Sequence, residues 1–119
     1  MKQLRDQATE YFISGDFEAM HKTLGSLVGE NDPWGMHYLA GALSHGIGVS
    51  VDLETANQLY QKAAELGFAD SQAIIGNNLC AGIGCAADIA SGIFWLEKSS
   101  RQGHTYADFL LSRVYINGI

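Results

Sequence analysis

The sequence predicts an all-α fold, a right-handed α-solenoid of antiparallel helix pairs with about seven helices. Residues recur at a fixed interval: Gly46-Ile47-Gly48 returns 36 positions later as Gly82-Ile83-Gly84, Asp52 as Asp88, Lys62 as Lys98 and Gly67 as Gly103. A constant period of this size marks a chain built from one repeated supersecondary unit. Within each unit the apolar residues keep the i, i+3, i+4, i+7 spacing of a helix face. The bulk composition agrees: 47% of the 119 residues are hydrophobic, 17% are charged and there is one Pro, enough for a core in a single domain.

The elements follow in order. The charged, amphipathic start from Met1 to Asp6 opens a helix over about 2–13, with no apolar run that would read as a secretory leader. Asp16 and Glu18 suit the start of a second helix over 16–29, the Asp as a cap and the Glu at the positive end of the dipole. Asp32-Pro33 reads as N-cap and first helical position of a third, 33–45, whose Gly35, Tyr38, Leu39, Ala42 and Leu43 form one inward stripe. Asp52 and Glu54 start a fourth over 52–66, and Gly67 ends it in the left-handed conformation. The same signals recur for 70–81, with Ser71, Ile74, Ile75 and Leu79, and for 88–102, begun by Asp88 and ended by Gly103. A last helix, 105–117, carries Ala107, Leu110, Leu111, Val114 and Tyr115, and Asn117-Gly118-Ile119 opens a third copy of the glycine loop. At least five of the thirteen acids are thereby explained by helix starts. The small residues Ala40, Gly76 and Ser112 share one repeat position and allow the helices of a pair to approach closely.

Leu39-Ala40, Leu43, Gly46-Ile47-Gly48-Val49, Asp52, Ala56, Tyr60, Lys62-Ala63-Ala64 and Gly67 resemble the Sel1-like repeat, a relative of the tetratricopeptide repeat. Ile75-Gly76, Leu79, Gly82-Ile83-Gly84, Asp88, Trp95, Lys98 and Gly103 look like a second copy. The first unit lacks the glycine loop, and its Leu4, Ala8, Tyr11, Gly15-Asp16, Leu24 and Leu27 are more similar to a plain tetratricopeptide unit. The expected division of this single repeat domain is 1–32, 33–68, 69–104 and a C-terminal half-repeat, 105–119. The resemblance implies a solenoid that binds other proteins on its concave side.

If residues 39 and 43 and their equivalents point inward, the opposite stripe of each first helix faces a partner. That stripe is Trp34, His37, Gly41, Ser44 and His45, then Asp70, Ala73, Asn77 and Cys80, then Tyr106, Phe109, Arg113 and Ile116, with Lys2, Arg5, Thr9 and Phe12 from the first unit. Trp34, His37, His45, Asp70, Asn77, Tyr106, Phe109 and Arg113 are the expected partner-binding residues, because aromatic, Arg and polar groups mixed on one surface suit a protein interface. For Trp34 the competing expectation is packing on the preceding helix; for Phe109 and Ile116, covering the end of the core. Helix 105–117 is apolar on nearly every side, which predicts burial of its surplus face by a second copy or a partner.

Catalytic chemistry finds no foothold. The two Gly-X-Gly stretches neither continue into a G-x-G-x-x-G nor follow a strand, so phosphate binding is set aside. His37 and His45 lie eight residues apart, about 12 Å along a helix, too far for one metal ion. Cys80 has no base beside it, and no Ser-His-Asp order is present. No cofactor or metal is expected and the chain is read as a non-enzyme. Two cysteines make no disulfide framework, so reduced thiols and a cytoplasmic protein are expected; a Cys80–Cys85 bridge is the alternative. A net charge of −6 and a pI near 4.9 repel nucleic acid and favour a basic protein surface. No run of about 20 apolar residues spans a bilayer. The expected function is an adaptor binding another polypeptide; the alternative is an immunity or inhibitor protein neutralising a toxin, and a small enzyme or peptide-binding chaperone is more distant.

Overall fold

A computed structural model gives the protein's structure and describes residues 2–117. Seven helices follow one another, each of thirteen residues: α1 (Lys2–Ser14), α2 (Phe17–Gly29), α3 (Pro33–His45), α4 (Leu53–Glu65), α5 (Ala69–Ala81), α6 (Ile89–Arg101) and α7 (Thr105–Asn117). No strand occurs among the described residues. Each helix packs on the next in the chain, so the molecule is an elongated stack, 42 × 28 × 22 Å. Gly118 and Ile119, where the third glycine loop is expected, lie outside the described residues.

The helix starts are built as the spacing predicts. Asp16, Asp52 and Asp88 accept hydrogen bonds from the backbone N–H of Ala19, Thr55 and Ser91 at 3.1–3.2 Å. Thr55 and Ser91 also donate their hydroxyls to the second oxygen of Asp52 and Asp88, which holds both carboxyls below the usual carboxylate value. Gly46 and Gly82 end α3 and α5 at φ +68° and +73°, and Gly67 and Gly103 follow α4 and α6 in the same region.

Asp32 departs from this pattern. Its side chain makes no cap bond to α3; it is wholly buried and takes two hydrogen bonds from the Arg5 guanidinium, one from Nε at 3.0 Å. Arg5 reaches it from α1, and a buried carboxylate gains more from this charge-assisted two-bond pair than from a cap bond to a neutral N–H.

The second glycine of each loop has a further job. A Cβ on Gly48 would stand 2.5 Å from the Cβ of Phe17, and one on Gly84 would stand 2.7 Å from that of Leu53. Phe17 and Leu53 each open the second helix of the preceding repeat, so the loop is pressed onto its neighbour. Side chains one turn later hold it there. His21 Nε2 lies 2.7 Å from the Ile47 carbonyl, and Asn57 Nδ2 donates to the Ile83 carbonyl at 2.7 Å. His21 and Asn57 are 36 positions apart; this loop-to-helix contact is therefore part of the repeat and fixes the stacking of successive units.

The core falls into three successive clusters. Ala8, Met20, Leu24, Leu27 and Ala42 form the first; Ala40, Ala56, Tyr60, Ala64, Ile75 and Trp95 the second; Cys80, Leu96, Leu110 and Val114 the third. Gly76 meets Leu96 and the Gly92 carbonyl where α5 crosses α6, as its small-residue position predicts. Ser112, at the same repeat position, is exposed and faces no described helix. Two expected core residues are corrected. Tyr38, 46% exposed, borders a crevice that Leu24 leaves open, and Tyr115, 63% exposed, lies on the outer side of α7, which no described helix covers.

Candidate functional site

The residues singled out for partner binding lie on the side built by the first helices of the pairs, α1, α3, α5 and α7. They divide into three groups. At the N-terminal end, Trp34 and His45 join Phe12 and Tyr38 around an apolar crevice between α1 and α3 of about 340 Å³. Met20 and Leu24 of α2 form its floor, and Thr9 and Gly41 stand on its walls. Trp34 packs against the first core cluster, as its competing expectation has it, and its ring lies 4.5 Å from that of Tyr38 and 5.8 Å from the Arg5 guanidinium. His45 is exposed, and its Nδ1 lies 2.9 Å from the Gly41 carbonyl.

In the middle, the stripe is occupied by internal contacts. His37 bonds Ser71 Oγ of the next repeat through Nδ1 at 2.8 Å and packs against Tyr60 and Phe68, and burial pushes its pKa down. Asp70 meets His104 Nε2 at 2.7 Å, tying α5 to the start of α7. Asn77 is half-buried. Ala73 and Cys80, placed on the stripe by spacing, are buried instead. At the C-terminal end the surface opens again. Tyr106 and Phe109 stack at 6.2 Å, and the Arg113 guanidinium lies 6.0 Å from the Phe109 ring. Phe109 is 36 positions after Ala73, so it is exposed where its counterpart is covered by the following repeat.

Among the described residues no group of three His, Cys, Asp or Glu is placed to hold a metal ion. Cys80 and Cys85 are both free; the Cys80 thiol is pushed up, first by burial and then by the Asp88 charge. Tyr38 is the aromatic wall residue that spacing missed. Its place in the stripe with Leu39 and Ala42 points inward, and only the four-residue step from Trp34 to Tyr38 marks the crevice edge.

Stacked helix pairs with this loop geometry define an α-solenoid repeat protein. The Sel1 repeat family description matches residues 35–68 and 69–104, and the chain belongs to that family. No curated protein matches it. Solved structures agree on the fold. A Sel1 repeat protein from Oxalobacter formigenes superposes with a TM-score of 0.86 at 26% identity, over 95% of this chain and 46% of its own. A protective antigen present in uropathogenic Escherichia coli strains, displaying an SLR fold, gives 0.81 at 26% identity, over 84% of this chain and 21% of its own. Cysteine-rich protein B of Helicobacter pylori gives 0.75 at 28% identity, over 79% and 71%. The chain therefore spans less than half the length of the first two. Sel1 repeats are generally protein–protein interaction modules, and no described helix is long and apolar enough to cross a membrane.

Proposed function

We propose that the chain is a non-catalytic adaptor that binds a partner polypeptide along the face of α1, α3, α5 and α7. The observation that carries this reading is the pair of clusters at the two ends of that face, exposed Phe12 and Tyr38 with half-buried Trp34 at one and exposed Tyr106 and Phe109 with half-buried Arg113 at the other. Aromatic and Arg side chains are the groups that dominate interface energies. The chain works as one repeat domain, with units 1–32, 33–68 and 69–104 and the half-repeat 105–119, and its two free thiols suit a reducing compartment such as the cytoplasm.

Affinity capture from the native cell, followed by titration of the captured partner, tests this. Trp34→Ala and Tyr106→Ala with Phe109→Ala should each weaken binding roughly tenfold or more while the helical circular dichroism persists. Unchanged affinity in both variants and in Asp70→Lys would overturn the reading.

The acidic charge favours a second role within the same class, neutralisation of a basic toxin as its immunity partner. A single tight partner whose association slows steeply with salt supports that role; several unrelated partners support the adaptor. The open side of α7, with Ile116 80% exposed and Tyr115 beside it, supports self-association through α7. Sedimentation should then show a dimer that Ile116→Asp converts to a monomer, and a wild-type monomer at 100 μM, on the order of 100 times a micromolar Kd, would exclude it.

A further inference from the structure

We infer that the crevice between α1 and α3 receives an aromatic side chain from a partner segment whose flanking residues are basic. The inference rests on the interaction face proposed above and names what one end of that face takes.

At about 340 Å³ the cavity lies at the small end of ligand sites, large enough for one bulky side chain and little more. Its walls are Phe12, 52% exposed, Trp34 and Tyr38, and its floor is Met20 and Leu24. The repeat itself shows what fills such a space. Tyr60 stands 36 positions after Leu24, in the second helix of the next pair. Its ring packs 5.4 Å from the His37 ring, and its hydroxyl lies 3.7 Å from where a Cβ on Gly41 would stand. The next crevice along the stack is thus closed from below by a phenol. Leu24 is too short to do the same, which leaves aromatic walls around an aromatic-sized gap.

The charge of the flank follows from the surrounding edge. Phe12 and His45 are near the ends of α1 and α3, and Ile47 begins the loop beyond, so the cavity opens beside the turns that join the helices of each pair. The sequence has no Lys or Arg within 11–21 or 43–61, the stretches that hold these turns, and it places Asp16, Glu18, Asp52 and Glu54 there. Carboxylates without a neighbouring cation in these stretches are complementary to Lys or Arg flanking the inserted ring.

The test is an NMR titration of the isotope-labelled protein with acetyl-Tyr-Lys-Lys-Lys-amide at low salt. Shifts should centre on Thr9, Gly41 and Ile47. Replacing the peptide's Tyr by Ala, or its three Lys by Glu, should weaken binding at least tenfold. Leu24→Tyr, which closes the crevice as Tyr60 closes the next, should do the same. Thr9→Trp, at an exposed wall position, should also block the mouth without touching the core. Wild-type affinity in a folded Leu24→Tyr or Thr9→Trp variant, or equal binding of the Ala peptide, would overturn the inference. Shifts centred instead on Asn77, Tyr106 and Arg113 would sink the crevice assignment and leave the interaction face standing. Shifts confined to Lys22, Gln58 and Phe94 on the second helices would overturn both.

Discussion

Gly92→Val should lower the unfolding free energy by about 3 kcal/mol, the upper end of what overpacking a tight core costs. A Cβ on Gly92 would run into the Cys80 sulfur, stand 2.7 Å from the Gly76 carbonyl oxygen and 2.9 Å from the Cys80 backbone nitrogen. Two of these three obstacles are backbone, so rotamer changes cannot relieve them and α5 must move away from α6. That movement separates Leu96, fully buried here, from Gly76 and Cys80 of α5. Gly92→Ala carries the same clash and should destabilise, although Ala favours a helix over Gly by about 1 kcal/mol. Gly25→Ala is the matched control: it is helical too, but nothing stands within 4 Å of its Cβ. Gly25→Ala should stabilise by about 0.5–1 kcal/mol for that reason. Urea unfolding of the three variants separates close approach from helix propensity, because the two glycines then respond with opposite sign. Equal responses would refute the crossing geometry.

The 36-residue period makes the architecture legible in the sequence. It placed all seven helices, with ends that differ from the structure by a residue or so, since Asp16, Asp52 and Asp88 caps and Gly46 and Gly82 stops are local chemistry. Its limit shows at His37, Ala73 and Cys80. A first helix in a solenoid contacts its own partner and the repeats on either side, so one apolar stripe does not divide core from open surface. His37 is polar yet enclosed by Tyr60, Phe68 and Ser71 of neighbouring elements. Tyr38 is aromatic yet open, because Leu24 rather than a tyrosine lies beneath it. Gly92 was equally silent: a lone helical glycine gives no sign of its partner until Gly76 is seen opposite. Asp32 carried a plain N-cap signature beside Pro33, and a long-range cation overrode it.

Arg5→Ala tests that override, and it should cost about 3 kcal/mol at neutral pH, near the low end for stranding a buried charge because Arg5 itself is 38% exposed. Asp32→Asn should cost much less, on the order of 1 kcal/mol, since the amide keeps the shape and the Arg head can turn to water. The pair also sets a pH dependence. The Arg5 guanidinium holds the Asp32 carboxyl below its ordinary value of 3.8, against the burial that would push it up. A depressed carboxyl stabilises the fold above its unfolded-state value, and that contribution is lost as pH falls through the folded-state value. Wild type should therefore lose stability below about pH 4. In Arg5→Ala the guanidinium that lowers the Asp32 pKa most is gone, while burial still raises it and the backbone N–H groups of Gly35 and Trp34 still lower it, so the pKa rises from its wild-type position and acidification costs the variant less than wild type. The stability gap between wild type and variant should narrow as pH falls below about 4, whereas the Asp32→Asn variant should lack this dependence. Because Arg5 lies on α1 and Asp32 at the start of α3, the same pair holds together the two helices that wall the aromatic crevice. Partner affinity should thus fall in Arg5→Ala even at temperatures where the variant remains fully folded, and stay near wild type in Asp32→Asn. Isothermal titration of the captured partner at 10 °C would show whether the crevice depends on this clamp.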